Sequence, residues 1–433
     1  MVNIRIDFGK RAGVIKPMHG VNNGPLTELM LIDATPQFKE AGIPFSRLHD
    51  TEYPYGSGEF VDLHCLFPLF HADENDPANY NFTLTDAYLK AIQNSGAKII
   101  YRLGASIEHQ PIKRHVIPPQ DPEKWARIAE HIIRHYNEGW ADGYHMGIEY
   151  WEIWNEPELP MCWYGEKQAF CEFFRTVLIH LKKCFPHLKI GGPALCSMLN
   201  TEWLQSIFDT LTREPRAELD FFSWHRYCYD PADLAKEAAM AREWMDRYGY
   251  TNALSILDEW NFVRSWSDIE GTYEEQRTLR GMAFIAACMI TLQNTSTDIA
   301  AFYDAQMVMR YAWNYLFEPL SSGEHGMGMT VKTKPAFQSF LAFNKLYQMG
   351  ACCPASADDP RIYALAAEKD GTTLLMLSNY HPDKEDNEDR EIRLPRVAAN
   401  VEVYGGEETS AQVGPAEVFA LPANHIAVVT FEE

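Results

Sequence analysis

Two glutamates sit in settings unlike those of ordinary surface carboxylates. One lies in Trp154-Asn155-Glu156-Pro157, the other in Leu257-Asp258-Glu259-Trp260-Asn261. Each closes a short apolar run and has aromatic neighbours. Hydrolysis of a glycosidic bond needs two such carboxyls. One gives a proton to the leaving oxygen, and in a retaining enzyme the other attacks the anomeric carbon. Either glutamate alone reads equally well as a salt-bridged strand-end carboxylate. Together they read as a couple, with Glu156 as general acid/base and Glu259 as nucleophile. Close together and both acidic, they set a further expectation: negative Glu259 raises the pKa of Glu156 by like-charge repulsion.

The elements that must position them are strands alternating with helices. Strand candidates are residues 17–22, 44–49, 97–104, 148–155, 188–194, 219–225, 253–259 and 298–304. Amphipathic helical patterns lie between them, among them 121–136, 166–184, 231–248 and 334–350. Asp121-Pro122 and Asp230-Pro231 read as an N-cap followed by proline in the first turn. Eight such units imply an α/β fold, a (β/α)8 TIM barrel, whose catalytic residues stand at the C-terminal ends of the strands. Glu156 then ends strand four and Glu259 strand seven, and the two are expected to face each other across the mouth. After about Gly350 the rhythm changes to period-2 alternation with an Asp370-Gly371 turn. This predicts a small antiparallel β-sandwich accessory module. The expected organisation is 1–16 joining the β module, 17–350 as the catalytic barrel and 351–433 as the sandwich. Long loops at 51–81 and 305–332 are expected to close one end of the pocket, which favours exo action.

Composition narrows the partners. The 433 residues are 46% hydrophobic and 23% charged, enough for a large core. There are 38 basic and 60 acidic residues, a net charge of −22. Such a surface repels nucleic acid and anionic membranes. A small glycoside or oligosaccharide remains the natural partner. Nine cysteines without a CxxC pair, and an N-terminus without an apolar leader, point to a cytoplasmic protein. The apolar stretch 281–292 is too short to span a bilayer. His131 and His135 have zinc-compatible spacing, but they lack the HExxH glutamate and read as an exposed helix face. The charged run 381–392 reads as an exposed loop. No GxGxxG, P-loop or GxSxG pattern occurs, so no nucleotide cofactor is implied. Two carboxylates need no metal. Trp163, Tyr164, Trp260, Trp266, Tyr303 and Trp313 follow strand ends, and two or three of them are expected to stack on sugar.

WNEP on a fourth strand, with a glutamate ending a seventh, resembles clan A glycoside hydrolases. Within that clan, GVNNGPL (20–26), FSRLHD (45–50), SWHRY (223–227) and HGMGMTVKTKPAFQSF (325–340) are similar to glycoside hydrolase family 39. That family includes β-xylosidases and α-L-iduronidases, and the resemblance extends over nearly the whole chain. It implies that Asn155 hydrogen-bonds the sugar 2-hydroxyl and that His225 and Tyr227 lie beside Glu259, Tyr227 orienting its carboxylate. Arg47 and His49 would line the same pocket. One stretch departs from the pattern: FYDAQMVM (302–309) lacks the glutamate that family members carry after strand eight, which leaves the sugar open. The reading is a retaining, exo-acting β-glycosidase acting on a β-xyloside, β-glucoside or β-galactoside. Its alternatives are a transglycosidase and a non-catalytic carbohydrate-binding barrel.

Overall fold

The eight expected runs all become strands in the computed structural model, which describes residues 1–27, 32–51, 60–305, 315–322, 328–405 and 410–432. The first to eighth barrel strands are Gly20–Asn22, Phe45–Arg47, Lys98–Leu103, Tyr150–Ile153, Lys189–Leu195, Phe221–Cys228, Leu254–Phe262 and Ile299–Phe302. All pair in parallel and close in sequence order, the eighth strand hydrogen-bonding to the first. Strands four and seven are therefore one place short of directly opposite, and their end glutamates meet across the mouth. They stand three places apart with strands five and six between, so strand six contributes side chains from between the two glutamates.

Pairing of the sixth and seventh strands is irregular at one point. Leu257 opposes Trp224 and Glu259 opposes His225, which leaves Asp258 as an extra residue. Strict alternation would turn Asp258 away from Glu259. The bulge lets both consecutive carboxylates contact Arg47 inside the barrel. The opposite end of the barrel is plugged by Phe45, Ile100, Phe221, Ile256 and Ile299.

Helices Pro122–Glu138, Lys167–Cys184 and Pro231–Arg247 follow the expected pattern. Asp121 accepts from the Lys124 N–H at 2.8 Å, and Asp230 from the Ala232 N–H at 2.9 Å. These caps satisfy donors that the first helical turn leaves open. The apolar stretch at 281–292 belongs to helix Leu279–Gln293, which is buried on nearly every face. It lies between the barrel and a β-sheet, where Ser378 Oγ donates to the Ala283 carbonyl at 2.7 Å. That position explains a helix apolar all round. Among the described residues no helix is long and apolar enough to cross a membrane.

That sheet has six strands, in the order Ala351–Cys353, Ile362–Lys369, Thr372–Asn379, Ile426–Glu432, Asn400–Tyr404 and Ser410–Gln412. A second sheet orders Ala355–Ala357, Val2–Ile6, Arg390–Ala398 and Ala416–Leu421. Both contribute to one core that includes Val2, Ile4, Leu375, Ile392, Phe419 and Val429. Asp370 and Gly371 have φ of 50° and 81°, the left-handed pair that a two-residue hairpin requires. Residues 11–16 make a single bridge, Val14 to Ala351.

Several loop expectations need correction. Within 305–332, Phe317–Ser322 pairs antiparallel with Gly328–Thr333 as a hairpin. Within 51–81 lies the short helix Leu63–Leu66. His135 is buried rather than exposed, 3.1 Å from Asp86, and His131 Nδ1 lies 2.9 Å from the Arg127 carbonyl. The run at 381–392 is, as expected, a largely exposed loop up to Asp389, and it is anchored at two points: both Asp386 oxygens accept from Arg361 at 2.9 Å, and Arg280 donates to the His381 and Pro382 carbonyls.

Candidate active site

At the end of strand four the backbone is strained. Trp154 has φ of 74° and Glu156 of 42°, both in the left-handed region. Trp154 turns into the apolar core, its indole N–H donating to the Cys162 carbonyl at 2.9 Å. Asn155 and Glu156 turn to the barrel mouth, where the Glu156 N–H bonds the Ala194 carbonyl at 2.9 Å. Glu156 Oε1 lies 2.9 Å from His225 Nδ1 on strand six. Burial pushes the Glu156 carboxyl up to about 7, with Asp50 adding to the rise and Arg47 opposing it. Desolvation leads the rise and Asp50 adds to it, while the repulsion expected between the two glutamates falls on Glu259, whose carboxyl Glu156 raises.

Glu259 sits in a different environment. The Tyr227 hydroxyl donates to its Oε1 at 2.5 Å, and Arg47 Nη1 to its Oε2 at 3.1 Å. Burial and the neighbouring Glu156 raise its pKa too, while His225, Arg47 and Tyr227 work against the rise. One oxygen of each glutamate and a ring nitrogen of His225 all lie within 4.8 Å of one another. His225 is held neutral, its pKa lowered to about 4 by burial. Tyr227 stays protonated, its pKa raised by burial and by Glu259.

Arg47 ties the floor of the site together. Its guanidinium contacts Glu152 (2.7 Å), Asp258 (2.9 Å), Glu259 (3.1 Å), Asn22 (3.1 Å) and Asn155 (2.6 Å). Burial disfavours the charge, but Asp258, Glu152 and Glu259 outweigh it and raise its pKa. Arg47 takes Asn155 Oδ1, which fixes the amide. Asn155 Nδ2 is left buried without a protein partner, a free donor at the mouth. His49 is buried alongside, its pKa lowered by desolvation and by Arg102 and Arg47. The structure therefore brings Glu156, Glu259, Asn155, His225, Tyr227, Arg47 and His49 together. Trp313 lies outside the described residues. Trp163 and Trp260 are core side chains, 2% and 0% exposed, not platforms. Trp266 is open to solvent and meets the Tyr227 ring edge-on at 5.2 Å.

Four further carboxyls stand at the site: Asp258 and Asp50 lie inside LDEWN and FSRLHD, while Glu152 and Glu158 lie outside every motif. Glu152 and Asp258 lie within the barrel below the catalytic pair, and Glu158 and Asp50 stand at strand ends. Glu152 carried a readable signal, since it shares the inward face of an apolar strand with Tyr150. Asp258 carried none, because the bulge that turns it inward has no sequence signature. The Glu156–His225–Glu259 trio has the spacing of cation ligands, yet Tyr227 and Arg47 already occupy both Glu259 oxygens. A second such trio, Glu130, His180 and Cys184, lies half-buried between two helices. There Glu130 is bonded to Arg134 at 2.8 Å and to His180 at 2.7 Å.

Comparison with known proteins points the same way. The family model for "Glycosyl hydrolases family 39" matches residues 49–371. A β-xylosidase of Geobacillus stearothermophilus is 33% identical over 199 residues, covering 40% of this chain and 36% of that protein. A β-xylosidase of Caldicellulosiruptor saccharolyticus is 21% identical over 285 residues, covering 62% and 56%. The chain thus spans between about a third and just over half of these relatives. Among solved structures, a glucosidase from Croceicoccus marinus superposes with a TM-score of 0.75 at 20% identity, covering 100% of this chain and 99% of that one. A monomeric β-xylosidase from Caulobacter crescentus CB15 gives 0.71 at 14% identity, covering 100% and 99%. These likenesses show the shared fold.

Proposed function

The chain belongs to glycosyl hydrolase family 39, and from that membership we propose that it hydrolyses a β-linked glycoside with retention of anomeric configuration. The observation that carries the proposal is the approach of the two glutamates, oxygens within 4.8 Å, in opposite environments. Retaining enzymes hold their carboxyls roughly 5–5.5 Å apart, whereas inverting ones need about 6.5–9.5 Å to admit a water. Glu156 has no cationic hydrogen-bond partner and keeps its proton to about pH 7. Glu259, held by Tyr227 and Arg47, is the carboxylate set to stay ionised and attack.

In the first step Glu259 attacks the anomeric carbon and Glu156 protonates the leaving oxygen. The negative charge passes from Glu259, now an ester, to Glu156. Arg47 and His225 remain beside both, so the charge of the enclosed site does not change. In the second step Glu156 takes a proton from water, the hydroxide equivalent displaces the ester, and the starting configuration returns. Asn155 Nδ2 is the donor placed for a sugar hydroxyl. Exo action on a β-xyloside is the favoured form, supported by the names of the curated relatives and by the long segments 51–81 and 305–332. Residues 52–59, 306–314 and 323–327 of these segments lie outside the described residues.

Proton NMR of a hydrolysed β-nitrophenyl glycoside tests the mechanism. The β-anomer is expected first, before mutarotation, and a 2-fluoro glycoside is expected to label Glu259. First appearance of the α-anomer overturns the proposal.

A further inference from the structure

Asp50, one residue beyond His49, has φ of 49°, a left-handed conformation that Asp and Asn tolerate better than other non-glycine residues. Its Oδ1 accepts from the Ile107 N–H at 3.1 Å and its Oδ2 from the Tyr303 hydroxyl at 3.3 Å. Neutral His49 lies 3.3 Å from Oδ1. Among the described residues no lysine or arginine pairs with it; nearby Arg102 donates instead to Asp62 and Ser106. The side chain keeps 21% of its surface accessible while that of His49 keeps 1%. Asp50 thus presents a carboxylate to the open side of the same pocket, close enough to Glu156 to raise its pKa. Each carboxylate oxygen can accept more than one hydrogen bond. An enclosed carboxylate without a cation gains most from further hydroxyl donors.

We propose that Asp50 is a specificity-determining residue whose carboxylate accepts hydrogen bonds from hydroxyls of the sugar held between Glu156 and Glu259. The inference rests on the glycosidase reading. Asn155 is placed for the 2-hydroxyl, which leaves the 3- and 4-hydroxyls for Asp50. A carboxylate in this position selects sugars that present those hydroxyls as donors.

The test is a cycle on kcat/KM. Wild type, Asp50→Asn and Asp50→Gly are assayed on the nitrophenyl glycoside that wild type cleaves fastest and on its 3-deoxy and 4-deoxy counterparts. Both substitutions suit a left-handed backbone, so folding is preserved, and Tm checks this. Removing the hydroxyl that Asp50 reads lowers wild-type kcat/KM by about 10- to 100-fold. Asp50→Gly loses about as much on the parent sugar and almost nothing more on that deoxy sugar. Its basic pH limb also moves to lower pH, because a carboxylate facing Glu156 is gone. Arg47, His225, Glu158 and Glu259 still face Glu156 in the variant, and Arg102, Asp62, His49 and Tyr303 are the groups that face Asp50. Additive losses with an unmoved limb overturn the proposal and leave the glycosidase reading intact. A uniform loss on all substrates with a lowered Tm assigns Asp50 to holding the Ile107 loop and also overturns it. A wild type inert on every glycoside removes both readings.

Discussion

The two ends of the barrel are built from the same strands and furnished oppositely. At the end where the strands begin, Phe45, Ile100, Phe221 and Ile256 form an apolar plug, with Tyr150 packed against it. Two residues further along, the same strands carry Arg47, Arg102, Ser223, Asp258 and Glu152, all buried. Burial of the plug is worth about 1.5–3 kcal/mol per large side chain. Burial of several carboxyls around one guanidinium stabilises little or nothing, because desolvation opposes the ion pairs. The difference teaches where each end's constraint comes from: stability at the plug, chemistry at the mouth.

The sharpest way to break this contrast is to delete one side chain at each end. Glu259→Ala is expected to lower kcat by at least about 10⁴-fold on every glycoside, since no covalent intermediate forms. Its Tm should hold or rise, because a carboxylate leaves an acid-rich site. Phe221→Ala is expected to destabilise by about 3–5 kcal/mol in denaturant unfolding while folded molecules retain their kcat/KM. Unfolding curves on both variants, steady-state kinetics on Glu259→Ala and active-site titration of Phe221→Ala check both. A destabilised Glu259→Ala would erase the contrast.

Glu156→Ala comes next. Poor leaving groups should lose about 10²–10⁴-fold, and nitrophenolates much less, since these leave without a proton. Azide should restore turnover and give a β-glycosyl azide. Equal losses on activated and unactivated substrates would take the acid role from Glu156.

A smaller effect is expected in the pH profiles. The Glu156 carboxyl, raised by burial to about 7, is loaded below that pH and empties above it, so activity falls as pH rises through 7. Glu156→Gln should remove this basic limb with an activated substrate. The same proton affects stability. The folded chain holds it to about pH 7, and the unfolded chain releases it near the ordinary glutamate value of 4.5. Stability should therefore decline as pH rises through that window, and Glu156→Gln should flatten the decline. Tm measured across the window checks the sign.

Much of this was readable before folding, and the gaps have physical causes. The barrel strands are short apolar runs separated by amphipathic helices, and all eight appear within a few residues of their expected bounds. Glu156 and Glu259 could be read because aromatic strand ends frame them. The floor network could not. Asp258 faces inward only because of a bulge, and Asp50 reaches the pocket through a left-handed turn. Neither is a pattern of residue types. Trp163 and Trp260 were ambiguous for another reason. An aromatic after a strand can turn outward to the helices or inward to the mouth, and only packing decides.

Trp266 turns the other way, and the smallest expected effect belongs to it. Its loop follows strand seven and is anchored on both sides. Arg264 pairs with both oxygens of Glu275, at 2.9 and 2.6 Å, and its guanidinium lies over the Tyr229 ring at 4.8 Å. Asp268 caps helix Ile269–Gln276, accepting from the Gly271 N–H at 3.1 Å. Between these anchors the Trp266 ring is 63% exposed, edge-on to the tyrosine that holds Glu259. An exposed side chain contributes little to the core, so Trp266→Ala should leave stability within about 0.5 kcal/mol of wild type. An aromatic contact with substrate is worth about 0.5–1.5 kcal/mol. Trp266→Ala should therefore raise KM by about 2- to 10-fold for substrates with a sugar or aromatic leaving group. kcat should stay nearly constant, because the lost contact binds ground state and transition state alike. A fall in kcat at constant KM would instead mean that Trp266 holds Tyr227, and through it the nucleophile, in place.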